Sequence, residues 1–345
     1  MRLEYFAASN SQNGFVNYFS RVFDSRYCDR VYVIKGGPGT GKSRFMRDVA
    51  NVAEERGLGV KYYYCSSDPL SLDGIIIEEM RVGILDGTYP HTYEPAFVGA
   101  REQIIDLGAF WNEKVLAEQL DEIKRLSREK SEAYKRVYML LSAYGKLLEA
   151  EESIVAPFIN RAKISGAVKR WLHRLPDGNF GDEGIGICRA VGMNGRVKLD
   201  TYEARGGVIF YVNDSFRTAH FLLGEIKNEA LKRNMRIEVS YDPVMNGRVD
   251  ALYLRDAGMT FVIGDGAERK INMKRFIDEE GIKSQREYVK ALESQACGAE
   301  ALVDSCFFNV KKYHFELEKI YAQAMDFGAK EEFSENFIKN LFKKS

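Results

Sequence analysis

The chain has no excess of either charge and no long apolar run. Among its 345 residues, 50 lysines and arginines balance 50 aspartates and glutamates, so net charge gives no reason to expect nucleic acid or an anionic membrane as a partner. No stretch approaches the roughly 18 continuous apolar residues that a membrane-spanning helix requires. The sequence therefore predicts no membrane association and disfavours nucleic acid as a partner.

The sequence also lacks a cysteine pattern that would indicate a disulfide framework or a metal centre. Its 5 cysteines are widely spaced and none forms a C-x-x-C pair, so we predict neither structural disulfides nor a zinc site. Residues 1–5 are not followed by the apolar core of a secretory signal. These features together predict a reduced, cytoplasmic protein.

What the sequence does contain is an ordinary globular composition, with 45% hydrophobic and 29% charged residues and a length sufficient for two domains. Residues Gly36 to Ser43 read G-G-P-G-T-G-K-S, which matches the phosphate-binding pattern G-x-x-x-x-G-K-[ST]. We call this segment the Gly-Lys loop. The apolar, β-branched run at 31–34 predicts a buried strand before it, and apolar residues at helical spacing predict a helix after it, capped by Gly57.

A strand, a glycine-rich loop and a helix in this order predict a site for an anion. Glycines let backbone amides approach a phosphate closely, and the helix N-terminus adds positive potential. Lys42 can reach the β- and γ-phosphates, and Ser43 can bind Mg²⁺. We therefore predict a bound nucleoside triphosphate. Its predicted contacts are Gly37, Pro38, Gly39, Thr40, Gly41, Lys42, Ser43 and Arg44.

The residues beyond the loop offer a second metal ligand. Residues 60–64 and 81–85 predict two further strands, with a short helix over 75–80 between them. Asp86 ends the later strand, where an acidic residue typically holds Mg²⁺ directly or through water. Lys42 and Asp86 are therefore predicted catalytic residues, and Ser43 and Asp86 are predicted metal ligands. The alternative for Asp86 is an ordinary Asp-Gly turn.

Asp68 and His91 are two further catalytic candidates, because both lie in loops beside predicted strand ends. Either could orient a water molecule or an acceptor hydroxyl. Asp68 could equally cap a helix, and His91 could make a structural hydrogen bond. Asp73 is a weaker candidate whose simplest role is helix capping, and Cys65 is expected to be a small buried apolar residue.

The sequence contains a weak internal repeat. Residues 31–60 align with residues 208–237, and each segment predicts a strand followed by a helix. Identities are few, but Asp73 aligns with Asp250, and each half carries an Asn-Gly turn before its strand. The parallel order of elements predicts a tandem duplication.

The second copy differs where the first copy carries its loop. Residues 213–220 read N-D-S-F-R-T-A-H, with no glycine or lysine and no serine at the metal-binding position. Asp214 would repel phosphate. We therefore predict a degenerate second half that does not bind nucleoside triphosphates in the usual way. Arg217 or His220 could alternatively reach the first site as a trans-acting cation.

These patterns predict an α/β fold of the kinase-like P-loop NTPase type, with a parallel sheet flanked by helices, duplicated in tandem and carrying helical appendages. The segment after residue 111 predicts long helices with breaks near Gly145 and Pro157. A basic cluster within 161–174 could contact nucleic acid but is more typical of a solvated face. The predicted units are a P-loop domain (1–111), a helical insertion (112–174), a linker (175–186), a degenerate α/β domain (187–283) and a C-terminal helical segment (284–345).

Four motifs occur in an order that resembles one protein family. They are F-A-A-S-N at 6–10, K-G-G-P-G-T-G-K-S at 35–43, C-S-S-D-P-x-S-L-D-G at 65–74 and D-G-T-x-P-H at 86–91. Together they resemble a family of uncharacterised bacterial proteins with duplicated P-loop domains, usually labelled ATPase or nucleotide-kinase-like. The resemblance covers nearly the whole chain and implies ATP as the ligand. Relatives often keep a glycine-lysine loop in the second half, and this chain departs from that pattern.

Three functions agree with these features. The leading expectation is an ATPase that binds Mg²⁺ and ATP at one working site in the first half. One alternative is a kinase that transfers the γ-phosphoryl group to a nucleotide or small metabolite bound near Asp68 and His91. The other is a non-catalytic switch in which bound ATP holds the two halves together. The sequence names neither a small-molecule acceptor nor a protein partner.

Overall fold

The chain consists of two halves with a similar architecture. The computed structural model describes residues 2–266 and 269–343. The described part leaves out residue 1, residues 267–268 and residues 344–345. These belong to the first predicted unit, the degenerate unit and the last unit respectively. The elements of the first half are β1 (Leu3–Phe6), β2 (Ala8–Ser11), β3 (Gly14–Asn17), α1 (Phe19–Val22), β4 (Arg30–Lys35), α2 (Lys42–Glu55), β5 (Val60–Tyr64), β6 (Leu72–Ile77), β7 (Val82–Asp86), β8 (Glu102–Asp106), α3 (Glu113–Glu118), α4 (Leu120–Val155) and α5 (Arg161–Leu172).

The second half repeats this order of elements, except that two helices rather than three follow its last strand. Its elements are β9 (Asp182–Ile185), β10 (Arg189–Gly192), β11 (Gly195–Lys198), α6 (Thr201–Ala204), β12 (Val208–Asn213), α7 (Ala219–Lys232), β13 (Arg236–Tyr241), β14 (Val249–Leu254), β15 (Met259–Ile263), β16 (Arg269–Asn272), α8 (Arg286–Gln323) and α9 (Phe327–Lys343). Short 3-10 turns at 107–110, 156–158, 215–217, 273–276 and 281–285 connect some of them.

The first half folds around a six-stranded sheet in the order β1-β5-β6-β7-β4-β8. β4 runs parallel to β7 and β8, and β1 runs parallel to β5, but β6 is antiparallel to both of its neighbours. The prediction of a parallel sheet is therefore wrong, and so is the short helix over 75–80. Ile75, Ile76 and Ile77 form a strand because β-branched side chains fit a sheet that is covered on both faces.

The second half has a matching six-stranded mixed sheet, in the order β9-β13-β14-β15-β12-β16. Its third strand, β14, is antiparallel to its neighbours, as β6 is in the first sheet. A two-stranded hairpin precedes each main βα unit, β2–β3 in one half and β10–β11 in the other. The predicted α/β architecture and its duplication are confirmed at the level of this repeated layout.

The helices α4 and α8, with 36 and 38 residues, lie side by side in opposite directions. Their shared core includes Val137, Leu141 and Phe307. The break expected near Gly145 is absent, because α4 continues through this residue. The helix ends at Val155, before the turn that contains Pro157, as the proline predicts.

Each half places its last helix on the other half. α9 packs on α2, where Phe337 lies with its ring centroid 5.2 Å from that of Phe45. α5 packs on α7 in the same way and buries Ile164 and Val168. The basic residues of α5, such as Lys169 and Arg170, lie on its exposed face. The two sheets therefore complete each other's hydrophobic layers.

The segment predicted as a linker over 175–186 contains an ordered strand. Residues 182–185 form β9, which pairs in parallel with β13 at the edge of the second sheet. The strand forms because its backbone completes a sheet edge, which the polar composition of the segment does not reveal. Within the described residues, no helix combines the length and the apolarity that crossing a bilayer requires.

Candidate functional site

The candidate site lies at one edge of the first sheet, where several strand ends meet. β4, β5 and β7 run in the same direction, so the segments that follow them leave the sheet at the same edge. β6 runs in the opposite direction, and its first residues therefore reach this edge as well. The Gly-Lys loop follows β4, Asp86 ends β7, and Asp73 lies at the start of β6.

The Gly-Lys loop connects β4 to α2 as predicted. Gly39 and Gly41 adopt left-handed conformations, with φ of 72° and 77°, which a residue with a Cβ rarely tolerates. No side chain caps the N-terminus of α2. Within the described part of the chain, the amides of Gly39 to Arg44 donate no hydrogen bond to the protein. A set of free amides at a helix N-terminus is an arrangement that binds anions.

The side chain of Lys42 folds back on this loop. Its Nζ donates to the carbonyl oxygens of Gly36 and Gly37, at 2.9 and 2.8 Å, and lies 3.6 Å from Asp86 Oδ2. The other oxygen of Asp86 accepts from the amide of Thr88 at 2.8 Å. The structure therefore places a mostly buried ammonium group and carboxylate beside the free amides.

The remaining predicted contact residues differ in what they touch. Ser43 Oγ accepts a hydrogen bond from the amide of Leu72 at 3.0 Å, so its hydroxyl is held at the sheet edge. Thr40 Oγ1 donates to the carbonyl of Gly37 at 3.0 Å and fixes the loop conformation. Arg44 points outward, where its guanidinium lies 3.5 Å from Asp48.

The C-terminal end of α8 lies against the Gly-Lys loop. A Cβ added at Gly39 would lie 2.6 Å from the carbonyl oxygen of Glu318, and one at Gly37 would lie 3.2 Å from Trp111 and 3.7 Å from Tyr321. Burial raises the pKa of Glu318 and lowers that of His314 to about 4. The second half thus contributes a helix end to the site of the first half, which sequence reasoning did not indicate.

Asp68 lies in the loop after β5 and stabilises a turn. Its carboxylate accepts hydrogen bonds from the amide of Leu70 and from the hydroxyl of Ser71, at 3.3 and 2.8 Å. It is buried and faces the end of α8, where it influences the ionisation of His314 and Glu318. The structural role considered for Asp68 is therefore present, although it caps a turn before a strand rather than a helix.

His91 lies in a buried group with Asp73 and Cys65. Its Nδ1 is 3.4 Å from Asp73 Oδ2, and its Nε2 is 3.9 Å from Cys65 Sγ. Its ring stacks on Phe19. Burial raises the pKa of Asp73 to about 6 and raises that of the Cys65 thiol. Asp73 begins a strand, so the expectation that it caps a helix is wrong.

Sequence reasoning missed this grouping because it assigned residues 75–80 to a helix. The three consecutive isoleucines at 75–77 were the signal that could have indicated an antiparallel strand and placed Asp73 at the functional edge.

The corresponding edge of the second half is closed by its own side chains. Asp214 Oδ1 accepts from the amide of Ala219 at 2.8 Å, so a carboxylate occupies the start of α7 where the first half leaves amides free. Arg217 lies 3.2 Å from Glu151, and His220 lies 3.6 Å from Glu152, both at the end of α4. Neither side chain reaches the Gly-Lys loop.

The geometry of the first half is suited to holding a polyanion, because free amides and an ammonium group, with a carboxylate beside them, face one small region. No family model, curated protein or solved structure matches this chain. The resemblance in its motifs therefore stays a prediction, and an assignment of function depends on the residues described above.

Proposed function

We propose that the chain is a P-loop ATPase that binds Mg²⁺ and ATP at the Gly-Lys loop of its first half. The observation that carries this proposal is the run of free amides from Gly39 to Arg44, grouped around Lys42 at the start of a 14-residue helix. Each charge-assisted hydrogen bond from such a group to phosphate contributes about 1.5–3 kcal/mol.

Lys42 and the loop amides have the main role in phosphate binding. In the structure Lys42 donates to the two loop carbonyls of Gly36 and Gly37, and the β- and γ-phosphate oxygens would replace these acceptors. Thr40 and the left-handed glycines keep the backbone in the conformation that presents the amides. The loop would therefore bind phosphate with little reorganisation of its own backbone.

Ser43 and Asp86 are the residues that would hold Mg²⁺. Hydroxyl and carboxylate oxygens are ligands that this hard cation prefers, and both side chains lie at the same sheet edge. The metal and Lys42 would neutralise the charge that develops when the γ-phosphoryl group is transferred. Asp68 and His91 stay candidates for orienting the attacking water.

The second half would not bind a nucleotide in this way. Asp214 already accepts from an amide at the start of α7, and its negative charge would repel a phosphate. Arg217 and His220 are paired with acidic residues of α4. We therefore propose one nucleotide per chain.

A second candidate function is an ATP-dependent conformational switch. It is favoured by the contact of Gly39 with the backbone of α8 at Glu318, because a triphosphate on this side of the loop would have to displace the helix end. α8 also lies along α4 over much of its length and leads into α9, which covers the first sheet. Nucleotide binding would then change how the two halves pack.

Calorimetry and steady-state turnover of two variants test the proposal. Lys42→Ala is expected to abolish ATP binding, because the phosphates lose their only mobile cation in the loop. Asp86→Asn is expected to keep binding and to lose turnover by about 10²–10³-fold, as when other preorganised transition-state groups are removed. Asp214→Asn, at the matching edge of the second half, is the control and should change neither quantity.

Three outcomes separate the candidates. Phosphate release without an acceptor supports the ATPase, and ADP formation that requires an added nucleotide or metabolite supports a kinase. Thermal stabilisation by Mg²⁺ and ATP without turnover supports the switch. If the folded wild-type chain has no affinity for ATP with Mg²⁺, or binds two nucleotides, the proposal is wrong.

A further inference from the structure

Three side chains with metal-binding atoms converge beside the Gly-Lys loop. Cys65, Asp73 and His91 each offer one ligand atom, and these atoms all lie within 4.8 Å of one another. All three residues are buried. They come from three separate segments, namely the loop after β5, the start of β6 and the loop after β7. The antiparallel direction of β6 is what brings the carboxylate to the other two.

Two buried polar atoms of this group have no hydrogen-bond partner in the described part of the chain. Asp73 Oδ2 and His91 Nδ1 are 3.4 Å apart, yet neither makes a hydrogen bond within the described part of the chain. Leaving a buried polar atom without a partner costs about 1–3 kcal/mol, and more when the atom is charged. Cys65 Sγ and His91 Nε2 are 3.9 Å apart, at the long end of the range for a hydrogen bond that involves sulfur. A ligand that accepts electron pairs from all three would remove this cost.

In the second half, the buried carboxylate at the matching position is paired with a cationic side chain. Asp250 has the position in β14 that Asp73 has in β6, and Arg189 Nη1 lies 3.0 Å from it. Arg189 is the first residue of β10. The corresponding strand of the first half, β2, begins with the uncharged Ala8. Both halves thus keep a buried aspartate with a cysteine near it, but the first half has a histidine beside the carboxylate and the second half has an arginine.

We propose that Cys65, Asp73 and His91 bind a divalent transition-metal ion, with zinc as the best match. A thiolate, an imidazole and a carboxylate are the ligands that zinc takes in proteins. One zinc ion takes a single ring nitrogen at about 2.0–2.1 Å, so binding requires the His91 ring, which directs Nδ1 to Asp73 and Nε2 to Cys65, to rotate toward the shared ion. Three protein ligands leave a fourth position for water. The thiolate makes this site a poor match for Mg²⁺, because Mg²⁺ prefers oxygen ligands.

Metal counting on the full chain tests the proposal. Chelator-treated protein is titrated with Zn²⁺, separated from free metal, and measured by elemental mass spectrometry. We expect about one zinc per chain. Cys65→Ser and His91→Ala should weaken zinc binding by more than the roughly 10–100-fold that loss of an outer-shell partner costs. Cys188→Ser is the matched control, because Cys188 is also buried and its Sγ lies 3.8 Å from Asp250.

Two measurements on the wild-type chain avoid the risk that a variant misfolds. Cobalt added in place of zinc should give a thiolate-to-metal charge-transfer absorption band. Zinc should also protect Cys65 from alkylation, with the exposed Cys297 as an internal positive control. If Cys65 of the metal-free chain alkylates rapidly and zinc gives no protection, the group is a thiol–imidazole pair and the metal proposal is wrong. Absence of zinc uptake, or equal losses in Cys65→Ser and Cys188→Ser, would overturn it as well.

The proposed metal site and the proposed nucleotide site can be tested independently of each other. Lys42→Ala should keep its zinc, because Lys42 lies in the Gly-Lys loop and offers no ligand to this group. Cys65→Ser should conversely keep ATP binding, because Cys65 has no place among the phosphate-binding groups. Zinc loss in Lys42→Ala would show that the three side chains do not form a site of their own.

Discussion

The absence of a side chain at Gly145 allows the β2–β3 hairpin to lie against α4. A Cβ at this position would overlap the side chain of Gln12, which lies in the turn of the hairpin. Gln12 Nε2 also donates to Glu149 Oε1 at 2.9 Å, one helical turn further along α4. The glycine therefore marks a close approach between two elements rather than a break in the helix.

Gly145→Ala is expected to lower the free energy of unfolding by about 1–3 kcal/mol, because the added methyl group overpacks this contact. Gly298→Ala in α8 is the matched control. A Cβ there meets no atom within 4 Å, so the substitution should raise stability by about 0.4–1 kcal/mol through the unfolded state. Urea denaturation measures both changes, and equal effects would contradict the packing argument.

Asp250 is a buried carboxylate whose ionisation depends on the fold. Burial raises its pKa to about 7, Asp242 and Asp214 add to the rise, and Arg189 opposes it. The folded chain therefore binds a proton at Asp250 more readily than the unfolded chain does. The stability that this proton contributes is fully present below pH ~4, the ordinary range of an aspartate, and is lost as the pH rises through 7.

Asp250→Asn is expected to flatten the pH dependence of stability between pH ~4 and ~7, since each unit of pKa difference corresponds to about 1.4 kcal/mol. The free energy of unfolding measured across this range checks the slope. Asp200→Asn is the control, because the side chain of Asp200 is 82% exposed. An unchanged slope in Asp250→Asn would show that this carboxylate titrates as it does in the unfolded chain.

At the scale of elements, the end of α8 determines how open the Gly-Lys loop is. Tyr321 packs on Trp111, with ring centroids 5.4 Å apart, and both rings lie beside Gly37. This noncovalent contact between the two rings holds the end of α8 over the loop. If a triphosphate displaces it, the energy of the contact opposes nucleotide binding.

Tyr321→Ala is expected to tighten ATP binding by about fivefold or more, which corresponds to a coupling free energy of about 1 kcal/mol. Tyr288→Ala, at an exposed position near the start of the same helix, should leave affinity unchanged. Hydrogen exchange should also become faster in residues 316–323 when Mg²⁺ and ATP are added. Unchanged exchange in protein that demonstrably binds ATP would exclude displacement of α8.

At the scale of the whole molecule, the exchanged helices make each half dependent on the other. α9 places Phe333, Phe337, Leu341 and Phe342 in the hydrophobic layer of the first sheet. Full burial of such a side chain contributes about 1.5–3 kcal/mol. Leu341 and Phe342 are buried and Phe333 and Phe337 are partly buried, so their sum is a large share of the ~5–15 kcal/mol by which a typical domain is stable. α5 has the equivalent position on the second sheet.

Separate fragments covering 1–176 and 177–345 are therefore expected to fold poorly alone and to form a stable complex when produced together. The cut lies between α5 and β9, so it breaks no helix or strand. Circular dichroism and size-exclusion chromatography of each fragment and of the mixture measure this. Two soluble monomers, each with a cooperative unfolding transition, would show that the exchanged helices are dispensable.

The sequence by itself determined the strand–loop–helix unit around Gly36–Ser43, the degenerate loop at 213–220 and the duplicated α/β plan. These features depend on residues that are close in sequence, where β-branched runs, glycines and helical spacing act directly on the backbone.

Only the tertiary structure decided the direction of β6, the grouping of Cys65, Asp73 and His91, and the placement of α8 and α9 on the first half. An apolar run pairs equally well in either direction, and an amphipathic helix can cover any complementary face. Which partner each one takes depends on contacts between residues that are far apart in the chain, and composition and periodicity do not encode these contacts locally.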